Sequence, residues 1–396
     1  MTENLRPTIR FADFTDDWEE HKCRDVFTES REMGHSGDVA KKLTVRLWGK
    51  GVYAKNDIGS SATQYYIRHA GQFIYSKLDF LNSAFGVVPE ELDLFESTAD
   101  LPAFDCHGIN PYFMYYRAVQ PSFYITNGMI ADGSRKAKRI HADTFLNMPL
   151  MLPNREEQDK IAGFFQQMDD LITFHQNKYD KMVSVRTSML EKLFVQDGDL
   201  FPQIRFGEYK VPWKKVRLGE IVVPYSAPVE TPHGGYERLG IRSHGKGVFH
   251  DYVEAGKELG TAQMHRVASH NLIVNITFAW EHAVAITDDD DAGKLVSHRF
   301  PQFAMTDDIY DQFLKYMILD ARFRHHLLLS SPGGAGRNRV LKVSEMLEYE
   351  MMIPEVEEQK QIADYLNSLD ELISLYKVRV QKLKNIKMAC LQKMFV

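Results

Sequence analysis

The chain has 396 residues, with 48 Lys and Arg against 54 Asp and Glu, and a formal charge of −6. At 44% hydrophobic and 26% charged it has globular composition, and its length predicts two or three domains. A histone-like polycation is excluded, three scattered cysteines (Cys23, Cys106, Cys390) exclude a disulfide framework, and no apolar run reaches the ~20 residues that span a bilayer, which predicts a cytoplasmic protein.

In chain order, the N-terminal segment 1–22 carries Pro7-Thr-Ile9-Arg10-Phe11, with Trp18 seven residues beyond Phe11. Residues 23–153 read as a first α+β module with short strands at Gln72–Ser76 and Phe85–Val88. Late in this module, Gly133-Ser-Arg135-Lys136-Ala-Lys138-Arg139 packs four cations into seven residues. Leu146, Met148, Leu150 and Leu152 then alternate, which predicts a strand leading into the next element.

Residues 154–195 predict a long helix. A four–three spacing selects Ile161, Phe165, Met168, Ile172, His175, Tyr179, Met182, Arg186, Met189 and Leu193, an a/d seam sustained over five heptads. Glu156-Glu157 favour the positive end of the helix dipole and Lys192 the negative end, and Gly198 and Pro202 stop the helix. His175 reads as a tolerated seam residue rather than a metal ligand, because its counterpart in the second helix is Tyr376.

Residues 201–217 repeat the start of the chain: Pro202-Gln-Ile204-Arg205-Phe206, with Trp213 seven residues later. A second α+β module, 218–354, has strands at Asn271–Phe278 and Ala283–Ile286 and a helical stretch near 309–329. Its basic segments are Arg242-Ser243-His244-Gly245-Lys246-Gly247 and Gly334-Ala-Gly336-Arg337-Asn338-Arg339. Asp288–Asp291 reads as an exposed acidic turn. Leu347, Tyr349, Met351 and Ile353 alternate as a strand before a second long helix, 355–396, whose seam is Ile362, Leu366, Leu369, Ile373, Tyr376, Val380, Leu383, Lys387, Cys390 and Met394. The two helices most simply bury their stripes against each other, and a pseudo-twofold axis relating the repeats makes them antiparallel. Arg186 and Lys387, the basic exceptions at one place in both seams, either snorkel at the end of the coil or face a partner protein.

The whole chain is therefore an internal repeat. The offset is 195 at its start (Pro7 to Pro202) and 201 from Pro153-Asn-Arg-Glu-Glu-Gln158 to Pro354-Glu-Val-Glu-Glu-Gln359, continuing to Phe194-Val195 and Phe395-Val396. Upstream the second frame reaches Gly133/Gly334 and Tyr115/Tyr316, which places six extra residues of the second copy between about 27 and 112 of the first. Ends that match around middles that diverge describe one scaffold carrying two specialised modules.

The chemistry legible in those modules is phosphate and base contact. Glycines let backbone approach a phosphate, Arg and Lys neutralise it, and Arg, Asn and Lys carry donors for base edges. A solvated basic loop is the plain alternative for either segment alone; recurrence at one place in both copies favours nucleic acid. The candidate DNA contacts are Arg135, Lys136, Lys138, Arg139, Arg242, Ser243, Lys246, Arg337, Asn338 and Arg339. No catalytic or metal-binding residue is assigned. Pro332-Gly-Gly-Ala-Gly-Arg lacks the Gly-Lys-Ser/Thr of a P-loop, and Asn110-Pro-Tyr lacks the second proline of the adenine-methyltransferase Asn-Pro-Pro-Tyr.

The strand–Pro–Glu-Glu-Gln-x-x-Ile-Ala openings at 150–162 and 351–363, the Asp-x-x-Ile spacings at 169–172 and 370–373, and the Leu-x-Lys-x-Phe endings at 190–194 and 391–395 resemble the DNA-specificity subunit of type I restriction–modification enzymes. The resemblance covers nearly the whole chain. It implies two target-recognition domains, here 23–153 and 218–354, and two helical spacers, 154–200 and 355–396, packed as an antiparallel coiled coil. It also implies a non-catalytic subunit that reads a bipartite DNA target and docks two adenine-N6 methyltransferase subunits and two restriction subunits. S-adenosylmethionine, ATP and Mg are then expected on those partners and no cofactor on this chain. The segment around Ile9–Trp18 should pack beside the second helix. Divergent modules imply an asymmetric target, with half-sites roughly one DNA turn (about 34 Å) apart.

Overall fold

The computed structural model describes residues 6–57, 59–129, 139–196, 198–258, 263–333 and 339–396. The chain divides into two compact units, 1–178 with 376–396, and 179–375. Both boundaries fall inside the long helices, Arg155–Leu193 (39 residues) and Val356–Lys393 (38 residues). Each unit is thus a module together with the start of one helix and the end of the other.

The first unit holds a five-stranded sheet in the order Met33–Ser36, Gln64–Ile67, Glu96–Ser97, Lys42–Val45, Val52–Lys55. Beside it is a four-stranded sheet in the order Phe27–Ser30, Ala103–Cys106, Phe73–Tyr75, Phe85–Val87. A ribbon pairs Glu19–Lys22 with Pro149–Leu152, so the strand entering the module lies antiparallel to the strand leaving it. The second unit repeats this plan. Its five-stranded order is Pro228–Val229, Met264–Arg266, Leu295–Ser297, Tyr236–Ile241, Val248–Val253. Its four-stranded order is Val222–Tyr225, Gln302–Met305, Leu272–Val274, Val284–Ile286, and its ribbon pairs Lys214–Arg217 with Glu350–Ile353.

The cores differ in content. Phe73, Tyr75, Phe80 and Phe85 of the first module stand where the second has Leu272, Val274, Ala279 and Val284, all eight buried. Ring contacts tie the first core together, with Phe104 and Phe145 centroids 4.9 Å apart and Phe80 and Phe85 also 4.9 Å apart. One fold thus tolerates two packings, as cores that keep volume and patterning generally do.

Both seams are buried or half-buried along their whole length. Ile161, Phe165, Ile362, Leu366 and Leu369 are buried, and Met168, Ile172 and Ile373 are half-buried. In the first unit Asp169 of the first helix pairs with Lys387 of the second, and His175 lies against Tyr376 with ring centroids 5.9 Å apart. Rising numbers meet falling ones, so the helices run antiparallel. In the second unit Arg186 pairs with Asp370. Arg186 and Lys387 therefore neither snorkel at a coil end nor await a partner; each neutralises an aspartate on the facing helix. A tyrosine completes each group: Tyr116 donates to Asp169 (2.8 Å) and Tyr316 to Asp370 (3.0 Å), joining a module helix to the scaffold.

The N-terminal segment and its repeat take equivalent places. Ile9 N–H donates to the Lys393 carbonyl (2.9 Å), and Ile204 N–H to that of Lys192 (3.0 Å). Arg10 forks onto Glu157 with two bonds of 2.7 Å, and Arg205 onto Glu358 with bonds of 2.7 and 2.6 Å. Both glutamates are buried. The neighbouring glutamines anchor the modules: Gln158 accepts from Asn110 N–H and donates to the Pro153 carbonyl, and Gln359 does the same with Tyr310 and Pro354.

Three sequence expectations are corrected. The alternating run before each long helix is strand only from Pro149 and Glu350; residues up to Leu146 and Leu347 form a helical turn, Ala142–Leu146 and Val343–Leu347, that buries Phe145 and Met346. Alternation over so few residues does not separate a strand from a turn of helix. The stretch 309–329 is two helices, Asp311–Met317 and Ala321–Leu329, the second capped by Asp320 accepting from Arg322 N–H. The offset also changes in steps: the structural equivalent of Tyr316 is Tyr116, not Tyr115, and the last of the six extra residues lies after the helices rather than before residue 112. No helix among the described residues is long and apolar enough to cross a membrane.

The Arg–Glu forks generate a prediction. Removing one partner of a buried pair leaves an uncompensated charge, at a cost of about 3–5 kcal/mol, whereas replacing both with apolar residues costs less. Arg205→Met in the full chain should lower the midpoint of chemical unfolding strongly, and adding Glu358→Leu should restore much of the loss. The check is a denaturation series on both variants; a double variant no more stable than the single would contradict the role given to the fork.

Candidate nucleic-acid interface

In each module a basic hairpin turn and the described end of the second basic segment lie at one short piece of chain. In the second module this is the 3-10 turn Ala279–Glu281. The hairpin turn between strands Tyr236–Ile241 and Val248–Val253 is clamped onto it: His244 N–H donates to the Glu281 carbonyl (2.7 Å) and Gly245 N–H to that of His282 (2.9 Å). The Ser243 hydroxyl donates to the Glu281 carboxylate (2.6 Å), so it is engaged within the protein. Arg339, where the chain returns from the second basic segment, lies over the Trp280 ring at 5.8 Å, and Leu341 N–H beside it donates to the Ile276 carbonyl. Arg242, Ser243, Lys246 and Arg339 thus gather around Asn275–His282. Arg242 and Lys246 are exposed; Arg242 rests over the Phe249 ring at 5.1 Å, and no carboxylate among the described residues pairs with either. Arg337 and Asn338 lie outside the described residues, as do Arg135, Lys136 and Lys138.

The first module has the same arrangement. The hairpin turn between Lys42–Val45 and Val52–Lys55 docks on the 3-10 turn Phe80–Asn82, with Trp48 N–H donating to the Asn82 carbonyl and Gly49 N–H to that of Ser83, both at 2.8 Å. Arg139 is exposed and sits 3.9 Å from Asp100, and Ile140 N–H donates to the Lys77 carbonyl as Leu341 does to Ile276. The turn reads Arg46-Leu47-Trp48-Gly49-Lys50-Gly51, which is Arg-x-x-Gly-Lys-Gly, the pattern of 242–247. The second copy stands among the basic segments legible in the sequence, and the first does not. The signal was present, but at an offset of 196 it belongs to neither the 195 nor the 201 frame.

Geometry explains the shared letters. The Arg N–H donates to the carbonyl of the final glycine in both turns, at 2.8 and 2.9 Å. Gly49 and Gly245 have φ of +60° and +62°, and a Cβ on them would come within 2.9 Å of Val119 and 2.7 Å of Leu319. Arg46 stacks on Tyr53 at 4.2 Å, as Arg242 does on Phe249. The residue before the first glycine is also left-handed, Trp48 at φ 60° and His244 at φ 65°, although neither is glycine. That conformation costs a residue with a Cβ about 1–2 kcal/mol, and such strain clusters at functional sites.

Burial holds the His282 ring below its usual pKa, with its Nε2 donating to the Ile318 carbonyl (2.7 Å), so this histidine is a neutral strut under the turn. His270 is raised by its bond to Asp311. Asp288–Asp291 is only partly the exposed turn expected: Asp291 is buried, bonded to His250 at 2.6 Å and to the Asp288 N–H. Among the described residues no group of His, Cys, Asp and Glu could hold a metal ion.

Comparison with known proteins fits this architecture. Residues 272–385 match the type I restriction modification DNA specificity domain. The type I restriction enzyme MjaVIII specificity subunit of Methanocaldococcus jannaschii is 24% identical over 61% of this chain and 60% of its own length, so the match spans about three-fifths of that relative. The putative type I restriction enzyme MjaX specificity subunit of the same organism is 21% identical over 72% of this chain and 70% of its own. The crystal structure of the type I restriction–modification system S subunit from M. genitalium shares the fold, with a TM-score of 0.58, 13% identity and 99% of both chains covered. The chain is thus similar to specificity subunits of type I restriction–modification systems in its matched domain and in these relatives, and its duplicated scaffold is the fold of the M. genitalium S subunit.

Proposed function

We propose that this chain reads a bipartite, asymmetric DNA sequence, one half through residues 23–153 and the other through 218–354, and acts as the specificity subunit of a type I system. The observation that carries the reading is the pair of clamped basic turns, 46–51 and 242–247, each beside the return of a basic segment at Arg139 or Arg339. The two turns share backbone, glycines and cations but differ in the residues between them. Arg46, Lys50, Arg242 and Lys246 supply phosphate contact that fixes register, and the differing residues supply the difference between half-sites.

In this reading the chain performs no chemistry. Residues 154–200 and 355–396 dock adenine-N6 methyltransferase subunits, which bring S-adenosylmethionine; restriction subunits bring ATP and Mg. Each unit supports the docking role with exposed apolar side chains at equivalent helix positions, Leu171 and Phe174 in one and Leu372 and Leu375 in the other. Phe174 and Leu375 are 54% and 56% exposed, and a repeated apolar patch fits two copies of one partner.

The deciding experiment is co-expression with a cognate methyltransferase subunit, followed by mapping of N6-methyladenine across host DNA. A split, non-palindromic motif is expected; a continuous motif, or none, would reject the reading. S-adenosylmethionine binding by the isolated chain would instead favour an orphan methyltransferase, and no DNA shift even with the methyltransferase present would favour a coiled-coil adaptor. Within the complex, Arg242→Gln with Lys246→Gln should weaken binding to all sequences and reduce the salt slope by about 1 per lost phosphate contact. Neutralising Arg337 and Arg339 together should act in the same direction.

A further inference from the structure

We infer that Trp48 is a base-contacting residue of the first module and that His244 holds the corresponding place in the second. The inference rests on the DNA-reading function proposed above and names the side chain that reads.

Trp18 and Trp213 are buried, whereas Trp48 is 62% exposed at the tip of a hairpin. Its backbone is left-handed, a conformation a bulky residue rarely takes, and its N–H is held by the Asn82 carbonyl, so the turn fixes the main chain from which the indole projects. Folding alone gives no reason for a large apolar ring here: glycine would relieve the backbone and remove the exposed surface. Arg46 and Lys50 stand two residues to either side of it in the turn, both exposed and unpaired with any carboxylate among the described residues. An aromatic face between two cations suits a ligand with stacked rings between phosphates, since bases offer π faces and methyl groups and the backbone offers charge. A protein partner of ordinary composition does not require the cations on both sides.

The second module argues the same from a different side chain. His244 shares the left-handed φ, the exposure and the backbone clamp, and sits between Arg242 and Lys246. Imidazole is a hydrogen-bonding ring and indole mainly an apolar one with a single donor. Two half-sites read by these residues therefore differ at the base that meets the tip, with apolar contact in one and polar contact in the other.

The test uses the assembled complex with its methyltransferase subunit. Trp48→Ala should lower affinity for the cognate duplex roughly tenfold to a hundredfold, leave the salt slope unchanged, and make one half of the methylated motif degenerate while the other half stays intact. His244→Ala should relax the opposite half. Trp48→Gly should melt no lower than wild type while showing the same loss of discrimination, which separates a reading role from a structural one. If Trp48→Ala and Trp48→Gly keep the wild-type split motif and affinity, the inference is overturned and the DNA-reading function stands. If the wild-type complex yields no split motif, the underlying function fails first.

Discussion

Each unit is organised around a buried carboxylate at the start of a long helix. Glu157 and Glu358 are removed from water, and a buried charge persists only when paired and hydrogen-bonded. The pairing comes from Arg10 and Arg205, far away in sequence, on segments that close against the far end of the other helix through Ile9 to Lys393 and Ile204 to Lys192. One electrostatic requirement thereby fixes three elements at once: the helix start, the opposite helix end and the connecting segment. The next residue extends the constraint, because Gln158 and Gln359 hold the N–H groups of Asn110 and Tyr310, the N-cap residues of the module helices Pro111–Ala118 and Asp311–Met317. The Glu-Glu-Gln motif is therefore a joint, in which the second glutamate ties down the scaffold and the glutamine aims the module.

Beyond that joint the two units share geometry and part in content. Tyr116–Asp169–Lys387 and Tyr316–Asp370–Arg186 are the same device built with different cations. The aromatic core of one module becomes aliphatic in the other while strand order is kept. The clamped turns follow the same rule, with the Arg, Gly-Lys-Gly and left-handed tip retained and the tip side chains exchanged. A scaffold that holds backbone constant while side chains vary is what the proposed reading of two different half-sites would require.

Much of this was legible in the sequence because it is periodic over long distances. A four–three repeat across nearly forty residues has no competing explanation, but it named no partner for His175; the ring it meets is that of its own counterpart, Tyr376. The resemblance carried by the scaffold motifs was legible for the same reason. What escaped depended on register or on short elements. The ion pairs of Arg186 and Lys387 require the antiparallel alignment before their aspartates can be found. Strands of two to six residues carry too little alternation to order into sheets. The first clamped turn was hidden by a stepwise offset, because the residues between Arg and Gly-Lys-Gly change and the insertions fall on both sides.

The acidic total charge is compatible with such turns for a local reason. At physiological ionic strength a charge is felt over about 8 Å, so a duplex meets the nearby side chains rather than the sum over the chain. Many of the scaffold carboxylates are already engaged: Glu157, Glu358, Asp169 and Asp370 each face a cation of the same unit. The cations of the two turns are held differently. Arg46 and Arg242 lie on aromatic rings, which orient a guanidinium without neutralising it, and Lys50 and Lys246 stand in solvent. Charge is thus satisfied where the chain must be rigid and left unsatisfied at the turn tips, and that contrast is what the proposed DNA contact draws on in an acidic protein.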